Sequence, residues 1–386
     1  MPLLNEASGF NWVWGFSTDL EFWKVCRREF LPHFRQTTSR QYRPQEIVMA
    51  HGLIKKILKA PEDFFESCRY MTGSLILDVT YGMKVKPEGD KFIEIAEKGS
   101  EGLEKSTQKN IVDIIPWIQH IPSWMGRLPG LKWKADVDEY KKLGFAMRDV
   151  PYDWFQEQLK EGKANPCLTS TLTSQLQDRW EDEKYTEQVI RSISGALYLA
   201  GSDTTVGVIR FVILVCLLYP NVLQKAQEEI DRVVGPDRLP NFDDEAKLPY
   251  VTAMVKELLR WTAPVTLAHA SAEDDVYNGY FIPKGSMVVG NSWAILHNPQ
   301  TYINPSKFDP DRFLTSDRMS IDTNVPDPTM AAFGYGRRVC PGRFQAMDTV
   351  WIAAACMLSV FDITPPVGPD GKKIMPKPEA DSGIVK

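Results

Sequence analysis

One cysteine in this chain sits in a setting that could bind a metal: Phe333-Gly334-Tyr335-Gly336-Arg337-Arg338-Val339-Cys340-Pro341-Gly342. A metal-binding thiolate needs backbone N–H groups close to its sulfur, and glycine lets the backbone come that near. Two arginines just before it can hold the carboxylates of an anionic ligand. The combination suits a haem iron with a cysteine proximal ligand, the ligation that pushes electron density toward O–O cleavage. A second unusual run is Ala200-Gly201-Ser202-Asp203-Thr204-Thr205, inside a segment that otherwise reads as a long helix. These residues are individually poor choices for mid-helix. The glycine would give room for a ligand, and a threonine hydroxyl can bond to the carbonyl one turn back and open the helix locally. An aspartate beside it can pass protons inward from solvent.

The other cysteines, Cys26, Cys68, Cys167, Cys216 and Cys356, lie in apolar or mixed surroundings and read as small buried hydrophobes. None has the spacing of a zinc site. Their lack of pattern argues against a secreted disulfide framework and for a reducing compartment. His33, His51, His120 and His297 have no neighbours in sequence that suggest ligation.

The pattern Phe-x-x-Gly-x-Arg-x-Cys-x-Gly, carried by Phe333, Gly336, Arg338, Cys340 and Gly342, resembles the haem-binding loop of the cytochrome P450 family of haem-thiolate monooxygenases. The run 200–205 is similar to that family's oxygen-binding helix motif, with Thr204 on the proton-delivery position and Asp203 beside it. Ala196 and Ala200 would leave space over the haem. Trp23 and Arg27 match a Trp-x-x-x-Arg pair whose indole and guanidinium bind a haem propionate in the family. Their i,i+4 spacing puts both on one helix face. His269 would be a further propionate donor, following the presumed strand 265–268. Glu257 and Arg260 match the family's Glu-x-x-Arg, and Arg312 sits in Phe308-Asp309-Pro310-Asp311-Arg312-Phe313, which resembles its Pro-Glu-Arg-Phe segment with Asp311 in place of Glu. The resemblance implies that Glu257, Arg260 and Arg312 form a buried triad.

The elements that must position these groups are mainly helical. Segments 45–60, 90–110, 136–161, 185–219, 220–235 and 247–262 show apolar residues at 3–4 spacing. In 220–235, Val222, Leu223 and Ala226 form the apolar side, and Glu228, Glu229 and Asp231 the wet side. In 247–262 the stripe is Val251, Met254, Val255, Leu258 and Leu259, with Glu257 and Arg260 away from it. Asp275 to Ile282 contains Asn278-Gly279 between β-favouring residues, a hairpin signal, and Pro283-Lys284-Gly285 turns the chain into Met287-Val288-Val289. The expected fold is therefore mainly α with a small β region, in one domain over residues 1–386.

A chain of 386 residues with 43% hydrophobic content can bury a sizeable core. The formal net charge of −5 is mixed along the chain, without the basic stripe of a nucleic-acid binder. The longest unbroken apolar run, Phe211 to Tyr219, is far short of the roughly 20 residues of a membrane span. For the loop from Val112 to Trp133, rich in Trp, Ile and Pro, the family resemblance implies a roof over the substrate channel with peripheral membrane contact; the alternative is a loop packed on the core.

The resemblance is strongest to fungal microsomal members and implies haem b and electrons from NADPH through NADPH–cytochrome P450 reductase. The substrate class would be an apolar small molecule such as a terpenoid or aromatic secondary metabolite. A full-length parent would sit at the cytosolic face of the endoplasmic reticulum membrane. Relative to the family the chain reads as short at both ends, without the anchor and first sheet strands. Two other readings stay open: a P450-fold enzyme that rearranges or dehydrates a peroxide, and a truncated non-catalytic haem-binding remnant.

Overall fold

The computed structural model describes residues 8–108, 120–127, 131–263 and 267–376. Most of the expected channel roof, Val265 and Thr266 of the expected strand, and the end of the chain lie outside the described residues.

The described helices are α1 (Leu20–Phe30), α2 (Arg43–Lys59), α3 (Phe64–Tyr81), α4 (Lys91–Gln108), α5 (Lys132–Lys160), α6 (Leu168–Leu176), α7 (Glu183–Leu218), α8 (Pro220–Val233), α9 (Pro249–Thr262), α10 (Ser292–Leu296), α11 (Thr329–Ala332) and α12 (Arg343–Val360). The six anticipated helices are all present. Periodicity did not single out α3 and α12, and for one reason: residues 71–81 of α3 and 349–358 of α12 are buried without interruption. A helix buried all round carries no amphipathic stripe.

Short polar signals set the helix ends. Asp19 accepts from the N–H groups of Glu21 and Phe22 at 3.0 and 3.1 Å to start α1. Asp182 starts α7 in the same way, accepting from Lys184 and Tyr185. Such a cap satisfies N–H groups that have no partner within the helix. Cys167 does this for α6, accepting from Ser170 N–H at 3.3 Å, so it is more than a buried hydrophobe.

Glu229 departs from expectation. It is not on a wet face but buried, and its carboxylate accepts from Tyr250 N–H at 2.9 and 3.0 Å and from Val251 N–H at 3.1 Å. The unpaired amides and positive dipole end of α9 account for an acid held inside.

Two small antiparallel ribbons form the β region. Strands β1 (His269–Ala270) and β4 (Met287–Val288) pair with His269 opposite Val288. Strands β2 (Asp275–Tyr277) and β3 (Tyr280–Ile282) form the expected hairpin. Asn278 and Gly279 close it with φ of 50° and 82°, the double left-handed conformation of a type I′ turn.

Helix α7 runs through the middle, packed against α1, α3, α4, α5, α6, α8, α9 and α12. It is long and apolar enough to cross a membrane, and 44% of its apolar stretch is buried within the protein. Its Val189–Leu199 half feeds one apolar cluster with the aromatic residues of 10–42, and its Val206–Cys216 half feeds a second with α8, α9 and α12. The polar run 200–205 lies at the seam between the two.

Candidate active site

Residues 333–342 fold into a tight loop ahead of α12. Cys340 N–H donates to the Phe333 carbonyl at 2.7 Å, and Val339 N–H to the Gly336 carbonyl at 3.2 Å. Gly334 and Gly336 take φ of 78° and 55°, which side-chain-bearing residues adopt at a cost. Gly342 caps α12, so the cysteine stands just before the positive end of that helix dipole. The thiol is half-buried. Burial pushes its pKa up, while the Gly342 N–H and the guanidinium charges of Arg343 and Arg27 pull it back toward the thiolate.

Two residues outside the motif clamp this loop, and nothing in the sequence marked them. Ser292 at the start of α10 donates to the Ala331 carbonyl at 2.9 Å and accepts from the Tyr335 hydroxyl at 2.8 Å. Gly290 lies flat on the Tyr335 ring, where a Cβ would come within 2.3 Å of a ring carbon.

Helix α1 meets the loop from the other side. Both terminal nitrogens of Arg27 donate to the Val339 carbonyl at 3.1 Å. The Arg338 guanidinium lies 4.2 Å above the Trp23 ring, in cation–π contact. Arg343 donates to the carbonyl of Cys340 itself at 3.2 Å. Among the described residues no carboxylate lies within salt-bridge distance of Arg27, Arg338 or Arg343. Burial and the Arg343 charge hold the Arg27 pKa down, and burial and the Arg27 charge do the same for Arg338. Three guanidiniums without anions around one cysteine fit a group that brings a metal and two carboxylates, which is what an iron porphyrin is. His269 is exposed on β1, opposite Val288.

On α7, Ala200 and Thr204 lie one turn apart on an exposed face, and Asp203 beside them is half-buried. The Thr204 hydroxyl donates to the Ala200 carbonyl at 2.8 Å, the back-bond expected of it. The helix does not open there, however: it is continuous from Glu183 to Leu218. Gly201 also departs from expectation. It makes room for α3 rather than for a ligand, since a Cβ would sit 2.5 Å from two carbons of Ile76. Ala196 is buried in an apolar cluster, so only Ala200 of the two alanines faces outward.

The ion cluster of α9 assembles as a unit. Glu257 and Arg260 are wholly buried and joined by bonds of 2.7 and 2.8 Å. Arg312 Nε and the Asp309 N–H reach the same carboxylate at 3.1 and 2.8 Å. Arg260 and Arg312 spend their remaining donors on the carbonyls of Leu296, Ile303 and Lys307. The cluster therefore ties α9 to the segment 296–312. Asp311 stays outside it and pairs with Lys225 at 2.6 Å and with Arg318.

Comparison with known proteins agrees with this architecture. The family model for cytochrome P450 matches residues 15–386. A cytochrome P450 monooxygenase of Armillaria gallica is 36% identical over 100% of this chain and 75% of its own length. The tryptamine 4-monooxygenase of Psilocybe cyanescens is 38% identical over 96% of this chain and 73% of its own. A cytochrome P450 monooxygenase of Coprinopsis cinerea is 37% identical over 98% and 72%. A mainly helical chain that matches along nearly its whole length in this way belongs to the cytochrome P450 family and is a monooxygenase-type oxidoreductase.

Proposed function

We propose that this chain inserts one atom of O2 into an apolar small molecule, with Cys340 as the iron ligand of haem b. Electrons would come from NADPH through NADPH–cytochrome P450 reductase. The observation that carries the reading is the Cys340 loop, with its three guanidiniums that lack carboxylate partners. Phe333 and Gly336 shape the loop, and Arg338, Arg27 and Trp23 hold the propionates, with His269 as a further donor.

Bound there, the haem supplies the redox chemistry of O2 activation. The chain's own part is ligation and proton management. Cys340 gives up its proton to bind as the thiolate, which Gly342 N–H, Arg343 and Arg27 favour. The Asp203 carboxyl takes protons from solvent at the seam between the two apolar clusters. The Thr204 hydroxyl, turned away from the Ala200 carbonyl, hands them on from the exposed face.

The substrate class is a secondary metabolite, terpenoid or aromatic. The relative named for tryptamine, an aromatic amine, supports the aromatic side. The native setting is the cytosolic face of the endoplasmic reticulum, with peripheral contact through exposed apolar residues such as Trp124, 70% exposed.

The carbon monoxide difference spectrum of the purified, haem-loaded chain tests the reading. A Soret band characteristic of thiolate ligation is expected, and Cys340→Ser should abolish it. Retention of that band in the variant places the ligand elsewhere. Turnover of a peroxide substrate without NADPH or reductase would instead assign the chain to the peroxide-rearranging enzymes of this fold.

A further inference from the structure

Helices α3 and α7 pack along each other more extensively than any other pair of described elements. Their close approach falls on the two residues just before Asp203. Ile76, on α3, seats its side chain on Gly201, at a spacing that leaves no room for a Cβ. One turn away, the buried Thr72 hydroxyl lies 2.8 Å from the Ser202 carbonyl, closer than to its own-helix carbonyls of Cys68 and Arg69 at 3.3 and 3.2 Å. That proton leaves α3 to bond to a peptide of α7.

The helix backbone here is crowded with hydroxyls. Ser202 Oγ donates to the Tyr198 carbonyl at 2.6 Å, and Thr204 Oγ1 to the Ala200 carbonyl at 2.8 Å. Such back-bonds draw carbonyls away from their N–H partners and bend helices. Three alternate carbonyls of α7, those of Tyr198, Ala200 and Ser202, therefore each carry an extra hydroxyl. Only the one on Ser202 comes from another helix.

We infer that α3 sets the position of Asp203 and Thr204, with Thr72 and Ile76 as the positioning residues. The Thr72 bond holds the peptide that precedes Asp203, and the Ile76–Gly201 contact fixes how far α7 can move toward α3. Ser202 and Gly201 thus serve docking, which leaves Asp203 and Thr204 at a fixed place on the adjoining faces. The inference rests on the proposed role of those two residues as the proton path.

The consequence is chemical. Productive turnover uses NADPH, H⁺, O2 and substrate RH to give NADP⁺, ROH and water. If protons arrive misplaced, the same two electrons and two protons leave with O2 as H2O2. The experiment uses the haem-loaded chain with NADPH and a P450 reductase, and compares Thr72→Val, Thr72→Ser and Thr204→Ala. H2O2 released per NADPH is measured alongside the carbon monoxide band and amide exchange across 200–206.

Thr72→Val is expected to raise the peroxide share severalfold, with the thiolate band kept and with faster exchange across 200–206. Thr72→Ser, which keeps the hydroxyl, should restore both. If Thr204→Ala raises peroxide while Thr72→Val does not, the positioning role is wrong and the proton path stands. If Thr204→Ala leaves peroxide unchanged, the proton path itself fails. Parental amide exchange in Thr72→Val overturns the positioning role in either case. Should Thr72→Val not take up haem, Ile76→Val, which shortens the side chain seated on Gly201, is read by the same two measurements.

Discussion

Glu257 shows how much one side chain can organise. Its carboxylate is wholly buried and receives Arg260, Arg312 and a backbone N–H together. Removing it leaves one guanidinium fully buried and another nearly so, each without its anion. A broken buried pair costs about 3–5 kcal/mol, more than most domains can lose without consequence. Glu257→Ala is therefore expected to lower the urea midpoint sharply and to yield protein with little bound haem. Normal haem content with an unchanged midpoint would show the cluster to be dispensable. The spacing of Glu257 and Arg260 was visible in the sequence, but the same spacing is common on solvated helices. Burial alone separates the two cases, and burial depends on the segment 303–312 folding back over α9. Ser292 and Gly290 were not legible at all, because their partner Tyr335 lies some forty residues further along the chain.

Among elements, the docking of α2 on α12 carries a pH-sensitive contact. Glu46 of α2 is fully buried, bonded through Oε1 to the Thr349 hydroxyl at 2.9 Å, while Oε2 has no partner. Around it stand Asp348 on α12, Glu245 ahead of α9, and Arg43, which bonds both of those carboxylates. Burial first and the Asp348 charge second raise the Glu46 pKa well above the ordinary carboxyl range. In the unfolded chain Glu46 ionises above about pH 4.3, whereas in the folded chain burial keeps its proton on to a higher pH. Between the unfolded and the folded pKa unfolding therefore releases a proton, and stability falls as pH rises through that window, by up to about 1.4 kcal/mol per pH unit. Glu46→Gln should flatten this slope and raise stability at neutral pH, read as the denaturant midpoint across pH 5 to 8, on the order of the carboxyl and histidine ranges. A variant with the parental slope would mean that Glu46 is already ionised in the fold. The helices themselves were mostly readable, since amphipathic periodicity and capping are local. The two long exceptions, α3 and α12, are helices that the rest of the chain encloses over much of their length.

At the scale of the molecule, both apolar clusters share α7, one on each side of the residues 200–205. Neither cluster can lose that helix and keep its core, which predicts that the described residues unfold as one unit. Helix loss and haem release are accordingly expected to coincide in a single thermal transition, followed by far-ultraviolet circular dichroism and Soret absorbance. Two separated transitions would divide the chain at α7. By itself the sequence determined the family-bearing motifs around Cys340, Thr204 and Glu257, the mainly helical class and the Asn-Gly hairpin, because each is written in consecutive or one-turn-spaced residues. Only the tertiary structure decided that Gly201 serves Ile76, that Glu229 caps α9, that Glu46 is buried against Thr349, and that Arg27, Arg338 and Arg343 converge on one cysteine. Those outcomes depend on which distant surfaces meet, and so on a dielectric and a free volume that no local pattern encodes.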